Sequence, residues 1–140
     1  HYHSDQYLDE GTRKWGGRVA HVEVLPDGID PLAERLRALA GQGVRICLCT
    51  GGTGLGPRDL SPEALQLVAD RRVAGLAEMF RSESAQHTPL AWLSRAEVVQ
   101  LGQMLVFALP GSPRAAQQGM EILAPLLGHA LAMIDGRPHA

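Results

Sequence analysis

The chain has 140 residues and a formal net charge of −2, which leaves no basic footprint for nucleic acid, and no apolar run approaches the ~20 residues of a membrane span. Its length makes one domain with a real core. With 45% hydrophobic but only 4% aromatic residues, that core must be aliphatic, built on Leu, Val and Ala. No secretory-type apolar region is present, and a cytoplasmic protein is expected.

Residues 1–17 (HYHSDQYLDEGTRKWGG) form an atypical, polar opening segment, with a helix fragment over 8–15. His1 and His3 read as tail rather than metal clip. The segment is expected to be incomplete or part of a longer, fused polypeptide, and residues 18–140 to be the folded domain. Over 18–25 (RVAHVEVL) the alternation puts Ala20, Val22 and Val24 inward and His21 and Glu23 outward, as in a half-exposed strand. Pro26-Asp27-Gly28 then turns into a helix over 31–40, with Leu32, Leu36 and Leu39 as its apolar stripe and Gly41 and Gly43 as its stop.

The apolar run 44–49 (VRICLC) reads as a buried strand. Its Cys47 and Cys49 share one face as small core side chains, without the further ligands of a zinc finger and without a disulfide framework. Helices follow over 62–72 and 75–84, the second with Leu76, Met79 and Phe80 on one face. Residues 97–103 make a short hairpin or turn before a second buried strand, 104–109 (MLVFAL). Helices over 113–127 and 125–135 finish the chain, with Pro125 marking a break or kink. Strands alternating with helices predict an α/β fold, a three-layer sandwich with a mostly parallel sheet and helices on both faces.

The chemistry concentrates in two glycine loops. Residues 50–62 (TGGTGLGPRDLSP) follow the first buried strand and carry Gly51, Gly52, Gly54 and Gly56. Glycines at such a corner let backbone N–H groups turn toward a ligand with no Cβ in the way. Ser61 can cap the next helix and Pro62 suits its first position. Arg58 could pair with an oxyanion; Asp59 could accept a hydroxyl proton or hold a cation. Taken alone, the run fits a tight strand-to-helix turn equally well. It is neither a Walker A loop nor the dinucleotide fingerprint. A second loop, Pro110-Gly111-Ser112-Pro113, follows the second buried strand, and two such loops at strand carboxyl ends can face one crevice. His87, His129 and His139 show neither triad nor metal spacing.

TGGTGLGPRDLSPEA, then Arg81, Ser84, Thr88-Pro89 and Leu93-Ser94-Arg95-Ala96, then LPGSPRAA, resemble the molybdopterin-binding domain family of molybdenum cofactor biosynthesis. The likeness covers roughly residues 22–139 and is nearest to the branch of molybdopterin adenylyltransferases and their MoaB-type relatives. The resemblance implies molybdopterin as substrate, adenylated with ATP and Mg2+ and releasing pyrophosphate; a non-catalytic MoaB-type binding or assembly module is the alternative. It places Thr50, Gly51, Gly52, Thr53, Gly54 and Arg58 in the first substrate or nucleotide loop and Pro110, Gly111, Ser112 and Pro113 in the second. It makes Asp59 a catalytic residue and Mg2+ ligand, and Asp27 a second catalytic acid. On the residues alone, Asp59 could instead serve a helix dipole, and Asp27 a turn.

The chain departs from the family in its opening segment, where no apolar strand precedes Ser4-Asp5 and the family's Ser-Gly helix start is missing, and in two further places. Gly28 stands where a second acid is common, and Arg114 replaces a lysine. Ser84, Thr88, Ser94 and Arg95 are expected either to shape the site rim and a subunit contact or to touch substrate. The resemblance implies a homotrimer, or a hexamer made of two trimers. Met79, Phe80, Leu90 and Trp92 are available for that interface or for the chain's own core.

Overall fold

The computed structural model describes residues 22–137. In chain order these form α1 (Ile29–Gly41), β1 (Ile46–Thr50), α2 (Ser61–Val68), β2 (Arg71–Arg72) and α3 (Ala74–Ala85). A 3-10 turn (Pro89–Leu93), β3 (Glu97–Leu101), β4 (Met104–Leu109) and α4 (Pro113–Ile134) complete them. His1, His3, the helix fragment at 8–15, the domain boundary near residue 17, the 18–21 part of the expected strand with Ala20 and His21, and His139 lie outside the described residues.

β4 organises the molecule. Its six residues are all buried, and successive side chains on a strand point to opposite faces. Leu105, Phe107 and Leu109 join Ala77, Phe80, Met120, Leu123 and Leu127 from α3 and α4. Met104, Val106 and Ala108 join Ala33, Leu36, Leu65 and Val68 from α1 and α2. An all-apolar strand therefore means a strand covered on both faces, and the α/β sandwich with helices on each side stands. Burying a side chain the size of Phe107 or Leu105 supplies roughly 1.5–3 kcal/mol.

The sheet runs β1-β4-β3-β2. β1 pairs with β4 in parallel, Ile46 opposite Leu105 through Thr50 opposite Leu109. β3 pairs antiparallel with β4, and β2 antiparallel with β3. Among the described residues the sheet is thus mixed rather than mostly parallel. The cause is local: β3 and β4 are joined by Gly102 and Gln103 alone, Gly102 has φ +59°, and a two-residue turn can only reverse the chain.

Other expectations shift with the neighbours. The helix expected to reach residue 72 stops at Val68, because Ala69 turns extended and the Asp70 N–H donates to the Gln100 carbonyl at 2.8 Å, starting β2. Residues 22–25 carry no strand, and Val22 and Val24 are 46% and 68% exposed rather than inward, having no strand partner among the described residues. Glu23 instead pairs with Arg35 of α1. Pro125 sits within one continuous α4. Of the four side chains weighed for an interface, Phe80 is buried in the chain's own core with Met79 packed against that cluster, whereas Leu90 and Trp92 are exposed. Cys47 and Cys49 are free and pack toward α1 and α2. The hydrogen bond with Cys47 and burial push the Cys49 thiol well up, so it stays protonated. No helix of the described residues is long and apolar enough to cross a membrane.

Candidate functional site

β1 and β4 run parallel and in register to their last residues, so they deliver the two glycine loops to one edge of the sheet. The loops touch. The Gly51 N–H donates to the Leu109 carbonyl at 2.9 Å, and a Cβ on Gly111 would sit 3.2 Å from the Gly51 Cα. Gly51 and Gly52 take φ of +97° and +70°, the region L side chains avoid. At Gly52 a Cβ would also fall 2.3 Å from the Ser61 hydroxyl oxygen.

That hydroxyl does not cap α2, whose N-cap is Leu60 without a side-chain bond. Ser61 Oγ donates to the Gly51 carbonyl at 2.9 Å instead. A nearer partner outcompetes the local cap. The Ser61 N–H donates to the Gly52 carbonyl at 3.1 Å. Arg95 continues the series: its N–H donates to the Thr53 carbonyl at 2.8 Å and its Nε to the Gly54 carbonyl at 2.9 Å. Its terminal nitrogens reach the Asp59 carbonyl and both carboxylate oxygens of Glu63, in the first turn of α2. The Arg95 guanidinium holds the Glu63 carboxyl below the usual carboxylate range, and Glu63 raises Arg95 in return.

Asp59 is pinned by one oxygen. Its Oδ2 accepts from the Gly56 N–H at 2.8 Å, closing the loop's tip, while Oδ1 accepts no hydrogen bond among the described residues. Arg58 is exposed and has no ion pair among the described residues. Asp27, also exposed, precedes α1. No hydrogen bond or ion pair joins Asp27 to either glycine loop among the described residues. No group of three or more His, Cys, Asp or Glu able to hold a metal occurs among the described residues.

On the second loop, Ser112 caps α4, its Oγ accepting from the Ala115 N–H at 3.3 Å, with Pro113 first in the helix. Thr50, exposed at the strand end, adjoins both loops. The intermediate block makes its described contacts within the chain. Thr88 caps the 3-10 turn, the Ser94 Oγ accepts from Ala96, Arg81 donates to the Ala96 carbonyl and Ser84 is buried. Reading the sequence placed Arg95 in the intermediate block and did not connect it to the first glycine loop. Its bond to Gly54 spans 41 residues, and no local pattern announces such a contact.

Residues 3–129 match the family described as "Probable molybdopterin binding domain". The chain belongs to that family. It is 36% identical over 138 residues to the molybdenum cofactor biosynthesis bifunctional protein of Chlorobaculum tepidum, a match covering 99% of this chain but 44% of that protein. The chain thus spans less than half the length of that relative. It is also 36% identical over 114 residues to the molybdopterin adenylyltransferase of Haemophilus influenzae, covering 79% of this chain and 58% of that one. Among solved structures, the molybdopterin biosynthesis enzyme MoaB of Thermus thermophilus superposes with a TM-score of 0.81 at 40% identity, covering 94% of this chain and 86% of that one.

Proposed function

We propose that this chain works in cytoplasmic molybdenum cofactor biosynthesis, binding molybdopterin and adenylating its terminal phosphate with MgATP. A phosphate oxygen of molybdopterin attacks the α-phosphorus of ATP, a new P–O–P bond forms, and pyrophosphate leaves. The nucleophile is already an anion at neutral pH, so the protein needs no general base. It must align two phosphates and offset their charge. The observation that carries the reading is the contact between the two loops, Gly51 against Gly111, at the ends of parallel strands. Thr50, Gly51, Gly52, Thr53, Gly54 and Arg58 would take one phosphate and Pro110, Gly111, Ser112 and Pro113 the other. Asp59, through Oδ1, and Asp27 would hold the Mg2+, which neutralises phosphate charge when bound; one or two carboxylates suit that ion.

The test is ATP-dependent formation of adenylated molybdopterin by the purified chain. Absence of product at saturating substrates would overturn the activity. A second reading, that the chain holds molybdopterin without adenylating it, is favoured by Gly28. Its φ of +123° and ψ of 165° belong to a region essentially reserved for glycine, so an acid at that position would strain the turn. That reading expects calorimetric binding of molybdopterin with no turnover. As with other members of the family it resembles, the chain is expected to assemble as a homotrimer or a pair of trimers.

A further inference from the structure

Four consecutive carbonyls of the first loop are held from one side. Gly51 and Gly52 are held by Ser61, and Thr53 and Gly54 by Arg95. Ser61 opens α2, and the Arg95 guanidinium is seated on Glu63 one turn into the same helix. All four carbonyls therefore face Ser61 and Arg95, the Thr53 carbonyl meeting the main-chain N–H of Arg95 and the Gly54 carbonyl its Nε, on the side where the guanidinium docks on α2. In a trans peptide the N–H points opposite its C=O, so the N–H groups of Gly52, Thr53, Gly54 and Leu55 face away from α2. None of the four has an acceptor among the described residues, although Thr53 is only 4% exposed. A buried donor without a partner is costly unless a ligand or water meets it. Oriented N–H groups in series form a concavity for an anionic oxygen.

We infer that Arg95 is a positioning residue: with its guanidinium on the Gly54 and Asp59 carbonyls, beside the Thr53 carbonyl already held by its main-chain N–H, it aims the Gly52–Leu55 amides at a phosphate oxygen of the substrates. This rests on the proposed function for the substrates' identity and goes beyond it in assigning the loop's orientation to a side chain that touches no substrate. A fork is required. Arginine's planar donors span a carboxylate and two carbonyls together, whereas a lysine ammonium can keep the pairing with Glu63 but cannot hold that set in one plane.

The experiment follows backbone amides by NMR in the wild type and in Arg95→Lys and Arg95→Ala, titrated separately with MgATP and with molybdopterin. In the wild type the Gly52, Thr53, Gly54 and Leu55 amides shift with at least one ligand, and the ligand that shifts them identifies which phosphate they meet. Arg95→Lys keeps its melting temperature near that of the wild type, since the half-exposed ion pair survives, yet requires about tenfold more ligand for the same shifts. Arg95→Ala loses at least as much affinity. If those four amides do not move with either ligand, or if Arg95→Lys binds like the wild type, the inference is overturned. Wild-type shifts without adenylated product would keep the inference and remove only the proposed activity.

Discussion

Gly52→Ala is the sharpest single perturbation of this site. The new methyl meets two separate penalties. Alanine at φ +70° enters the left-handed region, costing about 1–2 kcal/mol. Its Cβ would also lie 2.3 Å from Ser61 Oγ and 3.2 Å from Ser61 Cβ, and relieving such an overlap costs typically about 1–3 kcal/mol. Together the loss should be about 2–5 kcal/mol, measured as a lower urea midpoint with an unchanged slope. Ser61→Ala alone removes the bond to the Gly51 carbonyl and should cost about 1 kcal/mol. The double variant discriminates the causes. Without the hydroxyl the closest contact disappears, so Gly52→Ala/Ser61→Ala should be less damaged than the two single losses combined, by about 1 kcal/mol or more. A Gly52→Ala protein within about 0.5 kcal/mol of wild type, or strict additivity in the cycle, would refute the reasoning that Ser61 fixes this corner.

Three further outcomes follow from the same geometry. Asp59→Asn, whose amide oxygen can still accept from Gly56, should retain the wild-type fold while reducing adenylation about 10²-fold or more; full turnover in a coupled assay would remove the Asp59 charge from the chemistry. Because Arg95 lowers the Glu63 pKa, the pair's contribution to stability is present above the unfolded carboxyl value and fades as pH falls below about 4.3. The contribution is modest for a half-exposed pair, about 0–1 kcal/mol; urea titrations should show Glu63→Gln closing on the wild type as pH drops, and a gap that widens toward acid would contradict the sign. Light scattering at micromolar concentration should give about three or six times the 15.0 kDa chain mass, and Leu90→Glu/Trp92→Glu should shift it toward monomer. A wild-type monomer would remove the trimer.

What the sequence made readable follows the range of each interaction. Met104–Leu109 announces itself because every residue is apolar, and its two-sided burial follows from that run alone. Ser112 before Pro113 marks the start of α4 because a cap acts within three residues. Both loops are visible for the same reason, since glycines between a buried strand and a helix leave few alternatives. The edge strand Arg71–Arg72 is not visible: two arginines after Leu67-Val68 continue a helical pattern, and only pairing with Val99 and Gln100 makes them a strand. Ser61 carries the letter of a cap and does another job, because the Gly51 carbonyl ten residues earlier is brought back against it.

The neighbours Arg58 and Asp59 show where local reading ends in this site. As sequence they form one motif, two adjacent charges in a loop of glycines. In the fold they separate. Arg58 projects into solvent without an ion pair among the described residues, while Asp59 turns back and closes the tip through the Gly56 N–H. The cation that organises the loop is neither adjacent nor in the loop: it is Arg95, delivered by the segment just before β3. The loop's glycines supply freedom to turn, and freedom alone leaves a flexible chain that must be ordered when a ligand arrives. Ser61 and Arg95 take up that ordering before binding, so a corner with four glycines is held in the one shape that the proposed anion cradle needs.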